Sequence, residues 1–197
     1  MINPANNTFI FEALGAQLER LTPDPLEIVV CGGAALQALG LVARATRDVD
    51  VLAVVRADPA GPILLTADPL PAALAEAAAR VGRDLGLPAG WLNAGPTGLL
   101  TEGLPEAFVG RLHRRVFGER LVVQFTGRFD QICFKLYAAL NGGGPRHLAD
   151  LEALGPTPAE VAGAARWILT QDAGPQFPDL VRFFLRETGY SDVADSL

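Results

Sequence analysis

Apolar positions along the chain fall at helical spacing in some stretches, as short continuous runs in others, and with no period in one. Phe11, Leu14, Leu18 and Leu21 share one helical face, with Asn7 or Thr8 placed to cap it and Pro23 and Pro25 to end it. The run 26–31, rich in Ile and Val, reads as a buried strand, broken by Gly32 and Gly33, and a helix over 34–41 follows directly. Residues 49–55 are β-branched and apolar enough for a second buried strand. Pro59, Gly61 and Pro62 mark a loop, after which Leu74, Ala78, Val81 and Leu85 give a helix over 70–85 that Gly86 closes. Residues 87–105 scatter Gly and Pro among Trp91, Leu92, Leu99 and Leu100 and read as a long loop near a site.

Two strand-like runs, 112–117 and 121–125, flank the turn at 118–120 and form a hairpin, so the sheet is expected to be mixed. Ile132, Leu136, Ala139 and Leu140 then mark one face of a helix over 130–140, with Lys135 at that face's edge. A short helix over 146–154 stops at Gly155 and Pro156. Thr157, Pro158 and Glu160 have the spacing of a capping box and open a helix to about 169, and Pro178 starts a last helix that Gly189 ends. The expected fold is α/β (α+β): a small mixed sheet flanked by helices over 1–128, and a helical C-terminal region over 129–197 packed on that core.

Half the 197 residues are hydrophobic and 19% are charged, a composition that folds rather than one that stays disordered. No run approaches the roughly 18 apolar residues that cross a bilayer, and the first residues lack the basic and apolar parts of a signal peptide. The expectation is a cytoplasmic protein with no membrane partner. Cys31 and Cys133 form no CxxC pair and the histidines are far apart, so neither disulfides nor structural zinc are expected. A net charge of −6 argues against broad electrostatic capture of nucleic acid, although Arg111, Arg114, Arg115, Arg120, Arg128 and Lys135 make a local basic stretch. Fifteen of the sixteen basic residues are arginine. The single lysine, Lys135, therefore marks a position where a compact ammonium is needed, or one left by chance.

Gly32 and Gly33 sit between a strand and a helix, where glycine lets backbone approach a phosphate and the helix start offers N–H groups, or serves sterics alone. Asp48 and Asp50 add chemistry. Alternate residues of a strand share a face, which sets the two carboxylates side by side with Leu52 and Val54 further along it. Two such charges repel unless a cation lies between them, and Mg²⁺ held by one or two carboxylates and substrate phosphates is the usual arrangement.

The string Cys31-Gly32-Gly33-Ala34-Ala35-Leu36, followed by Arg44-x-Thr46-x-Asp48-x-Asp50-Val51-Leu52, resembles the GG…RxTxDxD signature of the polymerase-β-like nucleotidyltransferase superfamily. Within it the chain is most similar to AbiEii-like toxins and related small bacterial proteins. The resemblance spans about 26–154, with its weakest support over 59–105. It implies a nucleotidyltransferase fold and Mg²⁺-dependent transfer of a nucleotide from an NTP to an acceptor hydroxyl. Asp48 and Asp50 would be the metal ligands and Gly32, Gly33, Arg44, Thr46 and Lys135 the nucleotide-binding residues. A segment similar to [KR]DxxDL falls on residues 146–151, so Asp150 is implied to complete the catalytic set with Asp48, Asp50 and Lys135, while His147 replaces the more usual acid. Toxin relatives act on a tRNA end and pair with an antitoxin; other branches use a small molecule or a protein as acceptor. One departure stands out: the strand 121–125 offers only Gln124 where many members carry a third carboxylate. Two alternatives to the enzyme stay open: an inactive nucleotide-binding or regulatory module with the same fold, and an α/β protein with an accidental motif.

Overall fold

Leu26–Cys31 forms the central strand β1 of one open, mixed sheet, in which the apolar run Ile28, Val29, Val30 and Cys31 is buried on both faces. In the computed structural model, which describes residues 1–197, the chain falls into two units, Met1–Gly127 and Arg128–Leu197. The first unit holds the helix α1 (Asn7–Leu21), then β1, α2 (Gly32–Ala38), β2 (Val49–Arg56), β3 (Ile63–Thr66) and α3 (Ala72–Leu85). It continues with β4 (Leu92–Asn93), α4 (Leu99–Glu102) and the hairpin β5 (His113–Phe117) and β6 (Leu121–Phe125). Single 3-10 turns occupy Gly95–Gly98 and Phe108–Arg111. The sheet order is β3-β2-β1-β6-β5, with β4 paired to β2 off that path. β1 runs antiparallel to β2 and parallel to β6, which is the mixed sheet the hairpin reading anticipates.

One face of this sheet is covered by α1 and α3. Phe11, Leu14 and Leu18 from α1 and Leu74, Ala77 and Val81 from α3 are buried against Ile28, Val30, Val51, Val123 and Phe125. Phe11 packs against Phe117 and Phe125 with ring centroids 5.2 and 5.4 Å away. Gly15 of α1 lies over the Phe117 carbonyl with no room for a Cβ, so any side chain there would push α1 off the hairpin.

Between Val29 and Val30 the register with β2 slips: Val29 faces Ala53, Val30 faces Val51, and Leu52 is the extra residue of a bulge. This overturns one expectation. Val54 opposes Ile28 and lies toward the helices, whereas Asp50 opposes Cys31 on the other face, so the simple alternation linking Asp50, Leu52 and Val54 is broken by the bulge.

The second unit is helical: α5 (Arg128–Leu140), α6 (Pro145–Leu154), α7 (Pro158–Ile168), α8 (Phe177–Glu187) and α9 (Ser191–Asp195). The capping box forms, with Thr157 accepting from the Glu160 N–H and Glu160 accepting from the Thr157 N–H. Phe134 and Tyr137 of α5 pack on Trp167 of α7, each with centroids 5.7 Å apart.

Several local expectations need correction. Asn7 does not cap α1; Asn6 precedes the helix without a side-chain cap bond, and the Asn7 amide is buried against α2 instead. The helix after the glycine pair ends at Ala38, three residues short of its expected end. β3 arises from Ile63, Leu64, Leu65 and Thr66, a run too short to stand out in sequence but able to pair with β2. The helix begun at Phe177 is not the last, since α9 follows Gly189. No helix is long and apolar enough to cross a membrane.

Candidate functional site

The motif residues of the first unit come together at one end of β1 and β2. Asp50 is the second residue of β2, and its carboxylate Oδ2 rests directly on Gly32, where a Cβ would collide with it. Gly32 also has φ +70°, a left-handed conformation that glycine adopts without steric cost. Gly33 is used in the same way by its neighbour: a Cβ there would lie 2.9 Å from both Cβ and Oγ1 of Thr46. The space released by the two glycines is therefore taken by the acidic motif itself. The Thr46 hydroxyl in turn donates to Asp48 Oδ1 at 3.0 Å. Asp48 lies just before β2 rather than within it, so a hydroxyl rather than strand alternation orients it. Both carboxylates are half-buried.

A buried polar network holds the segment that carries Thr46. Gln37 donates to the carbonyls of Ile2 and Arg44 at 3.2 and 2.6 Å, and Asn7 donates to Gln37 Oε1 and to the Ala34 carbonyl, both at 3.0 Å. Ile2 and Thr46 exchange backbone hydrogen bonds of 2.8 and 2.7 Å. Arg44 is positioned by its carbonyl, while its guanidinium Nη1 donates to the Ala45 carbonyl at 3.1 Å. Asn7 and Gln37 were invisible as site residues in sequence, because a polar residue on an otherwise apolar helix gives no hint of which carbonyls it will meet.

Asn93 is the other residue that the sequence did not single out. Its strand β4 runs parallel to the start of β2, placing Asn93 opposite Asp50, and its Nδ2 donates to Asp50 Oδ1 at 3.3 Å. The Asn-x-Gly spacing at 93–95 does carry a turn signal. Nothing local in that signal points to Asp50.

β6 carries Gln124 as its one polar residue and no carboxylate. Gln124 donates to Glu27 Oε1 at 2.6 Å, and Glu27 lies four residues before Cys31, about 13 Å along β1 from the Asp50 level. No group of three or more His, Cys, Asp or Glu side chains is arranged to hold a metal ion. The acidic pair nevertheless suits a hard cation. Its donors are all oxygen, and two carboxylates completed by substrate phosphates is a coordination mode Mg²⁺ accepts. A groove of about 480 Å³ between α3 and the 87–92 segment, lined by Ala78, Gly82, Arg83 and Trp91 among others, includes none of the motif residues.

In the second unit, Lys135 and Asp150 meet each other. Lys135 Nζ is 2.8 Å from Asp150 Oδ2, with side-chain exposures of 7% and 1%. Lys135 is thus buried in α5 rather than at the edge of its apolar face, and the pair ties α5 to α6. Glu160 lies at the start of α7, where it meets Thr157 and Arg128. Burial pushes its carboxyl up, but the Thr157 N–H, Arg128 and the Thr157 hydroxyl outweigh that and hold it below the usual carboxylate value. Arg128 also donates to the carbonyls of Leu154 and Gly155, closing the α6–α7 turn.

No family model matches the chain, and neither the curated proteins nor the solved structures give a significant match.

Proposed function

We propose that the chain is a nucleotidyltransferase that moves a nucleotide from an NTP to an acceptor hydroxyl with the help of Mg²⁺. The observation that carries this reading is the seating of Asp50 on Gly32 and of Thr46, with Asp48 bound to it, on Gly33. Two separated sequence motifs fit each other sterically, which an accidental match of residue types does not require. Asp48 and Asp50 would hold the cation, and the cation supplies neutralisation of the charge that builds on the phosphates in transfer. The chain's own residues do the rest by positioning: the Thr46 hydroxyl fixes Asp48, and the Gln37 and Asn7 network fixes the backbone on which Thr46 and Arg44 stand. Lys135 and Asp150 enter the proposal only through the resemblance, as a triphosphate contact and a further acid.

A second reading is favoured by one observation. With Gln124 bound to Glu27 and no third acid in the group, the site has fewer charges than phosphoryl transfer between two metal ions uses. A module that binds nucleotide without turnover fits that charge count.

Incubating the full chain with each labelled NTP, Mg²⁺ and total RNA separates the two. Transfer of label by the wild type, lost in Asp48→Ala and Asp50→Ala, supports the enzyme. Nucleotide binding that depends on both aspartates, with no transfer to any acceptor class, supports the binding module. If neither binding nor transfer depends on them, both readings fail.

A further inference from the structure

We infer that Asn93 is the positioning residue of the cation site, presenting the Asp50 carboxylate from the side opposite the glycine turn and taking a place where an acid would raise the site's charge. This rests on the nucleotidyltransferase reading of Asp48 and Asp50 and names a residue that neither the motif nor the resemblance contains.

The orientation of the Asn93 amide is fixed by its own partners. The Gly95 backbone N–H, which can only donate, lies 2.8 Å from Asn93 Oδ1. That leaves Nδ2 to face Asp50 Oδ1, a donor toward an acceptor. The same carboxylate is pressed against Gly32 by its other oxygen, so Asp50 is held on two sides by groups that do not compete with its charge.

What holds Asn93 there can be followed back into the core. Gly82 of α3 has no side chain, and a Cβ would come within 3.0 Å of Trp91 Nε1. Trp91 therefore packs on α3, 3% exposed, with its indole N–H donating to the Ala78 carbonyl at 2.9 Å. The Trp91 carbonyl accepts from the Val49 N–H at 2.6 Å, which starts the β4 pairing and sets Asn93 level with Asp50. Two residues of strand are too few to be stable alone, so it is the buried tryptophan that makes the pairing possible.

The chemical consequence concerns charge. An aspartate at 93 would keep the Gly95 contact, being the same shape, but would place a third carboxylate beside Asp50. With asparagine the group carries two negative charges, suited to one divalent cation shared with a nucleotide. With aspartate it would carry three and hold a bare cation more tightly. Groups that orient a metal ligand by hydrogen bonding typically change metal affinity about 10–100-fold when removed.

The test uses the full chain and Mn²⁺ as a paramagnetic substitute for Mg²⁺, with free Mn²⁺ followed by electron paramagnetic resonance, with and without a non-hydrolysable NTP analogue. Asn93→Ala is expected to weaken Mn²⁺ binding about tenfold. Asn93→Asp, which retains the turn, is expected to tighten nucleotide-free Mn²⁺ binding by about tenfold or more. Thermal unfolding of both variants guards against a general loss of fold. Wild-type binding left unchanged by both substitutions would overturn the role of Asn93 while leaving the function standing. Absence of Mn²⁺ binding by the wild type itself, in the presence of nucleotide, would overturn the function and this inference together.

Discussion

Removing the Lys135 ammonium should cost the second unit much of its stability, and the size of the loss can be worked from the geometry. At 2.8 Å, with an effective dielectric of about 20, the gross attraction to Asp150 is about 6 kcal/mol. Taking both charges out of water offsets much of that, because the side chains are only 7% and 1% exposed. The two effects separate on mutation. Lys135→Met leaves the Asp150 carboxylate buried without this cation and is expected to destabilise by about 3–5 kcal/mol, whereas Lys135→Met with Asp150→Leu removes both charges and is expected to recover most of the loss. The chain's two tryptophans provide the assay, since Trp91 lies in the first unit and Trp167 in the second. With fluorotryptophan labelling, the Trp167 resonance should show a urea midpoint lowered by roughly 1 M or more in Lys135→Met, and near wild type in the double variant. A double variant as unstable as the single one would refute a dry pair as the source of the effect. An unchanged midpoint together with lost nucleotide binding would show that the ammonium serves a triphosphate, as the resemblance implies, and not Asp150.

Two further outcomes follow from single contacts. Gly32→Ala forces a side chain into left-handed backbone, at about 1–2 kcal/mol, and drives Asp50 from its seat; urea unfolding should register the first effect and label transfer the second, and a stable, fully active variant would show that Asp50 does not work from this position. Glu160 has a lowered carboxyl pKa, so its charged form stabilises the fold above its ordinary value of 4.5, and that contribution is lost as pH falls through the lower folded value. Glu160→Gln should thus be less stable than wild type by about 1 kcal/mol at neutral pH, with the gap closing in acid; a gap that is constant from pH 7 to pH 3 would contradict the charge-based account.

Much of the fold was legible because it rests on local pattern. The β1 run, the second strand from Val49, the hairpin, α3 and the capping box at Thr157 all appear within a residue or two of where periodicity, turn residues and cap chemistry place them. The short pieces escaped: β3 and β4 exist through pairing with β2, and a two-residue strand carries no period to read. The site followed the same division. Its acids and glycines were named by motif, but the bulge at Leu52 that turns Asp50 away from Val54 depends on the register between two strands, which sequence does not encode locally.

By itself the sequence determined which residues bring charge and which bring backbone freedom: Asp48, Asp50, Gly32, Gly33, Thr46 and the solitary Lys135. Tertiary structure decided what each of them meets. It filled the glycine gaps with Asp50 and Thr46, set Asn93 against Asp50 through the packing of Trp91 on Gly82, and paired Lys135 with Asp150. The physical reason is common to all three. Residue type fixes what a side chain can do, but hydrogen bonds and ion pairs act over about 3 Å, and at that range only the packing of residues distant in sequence determines the partner.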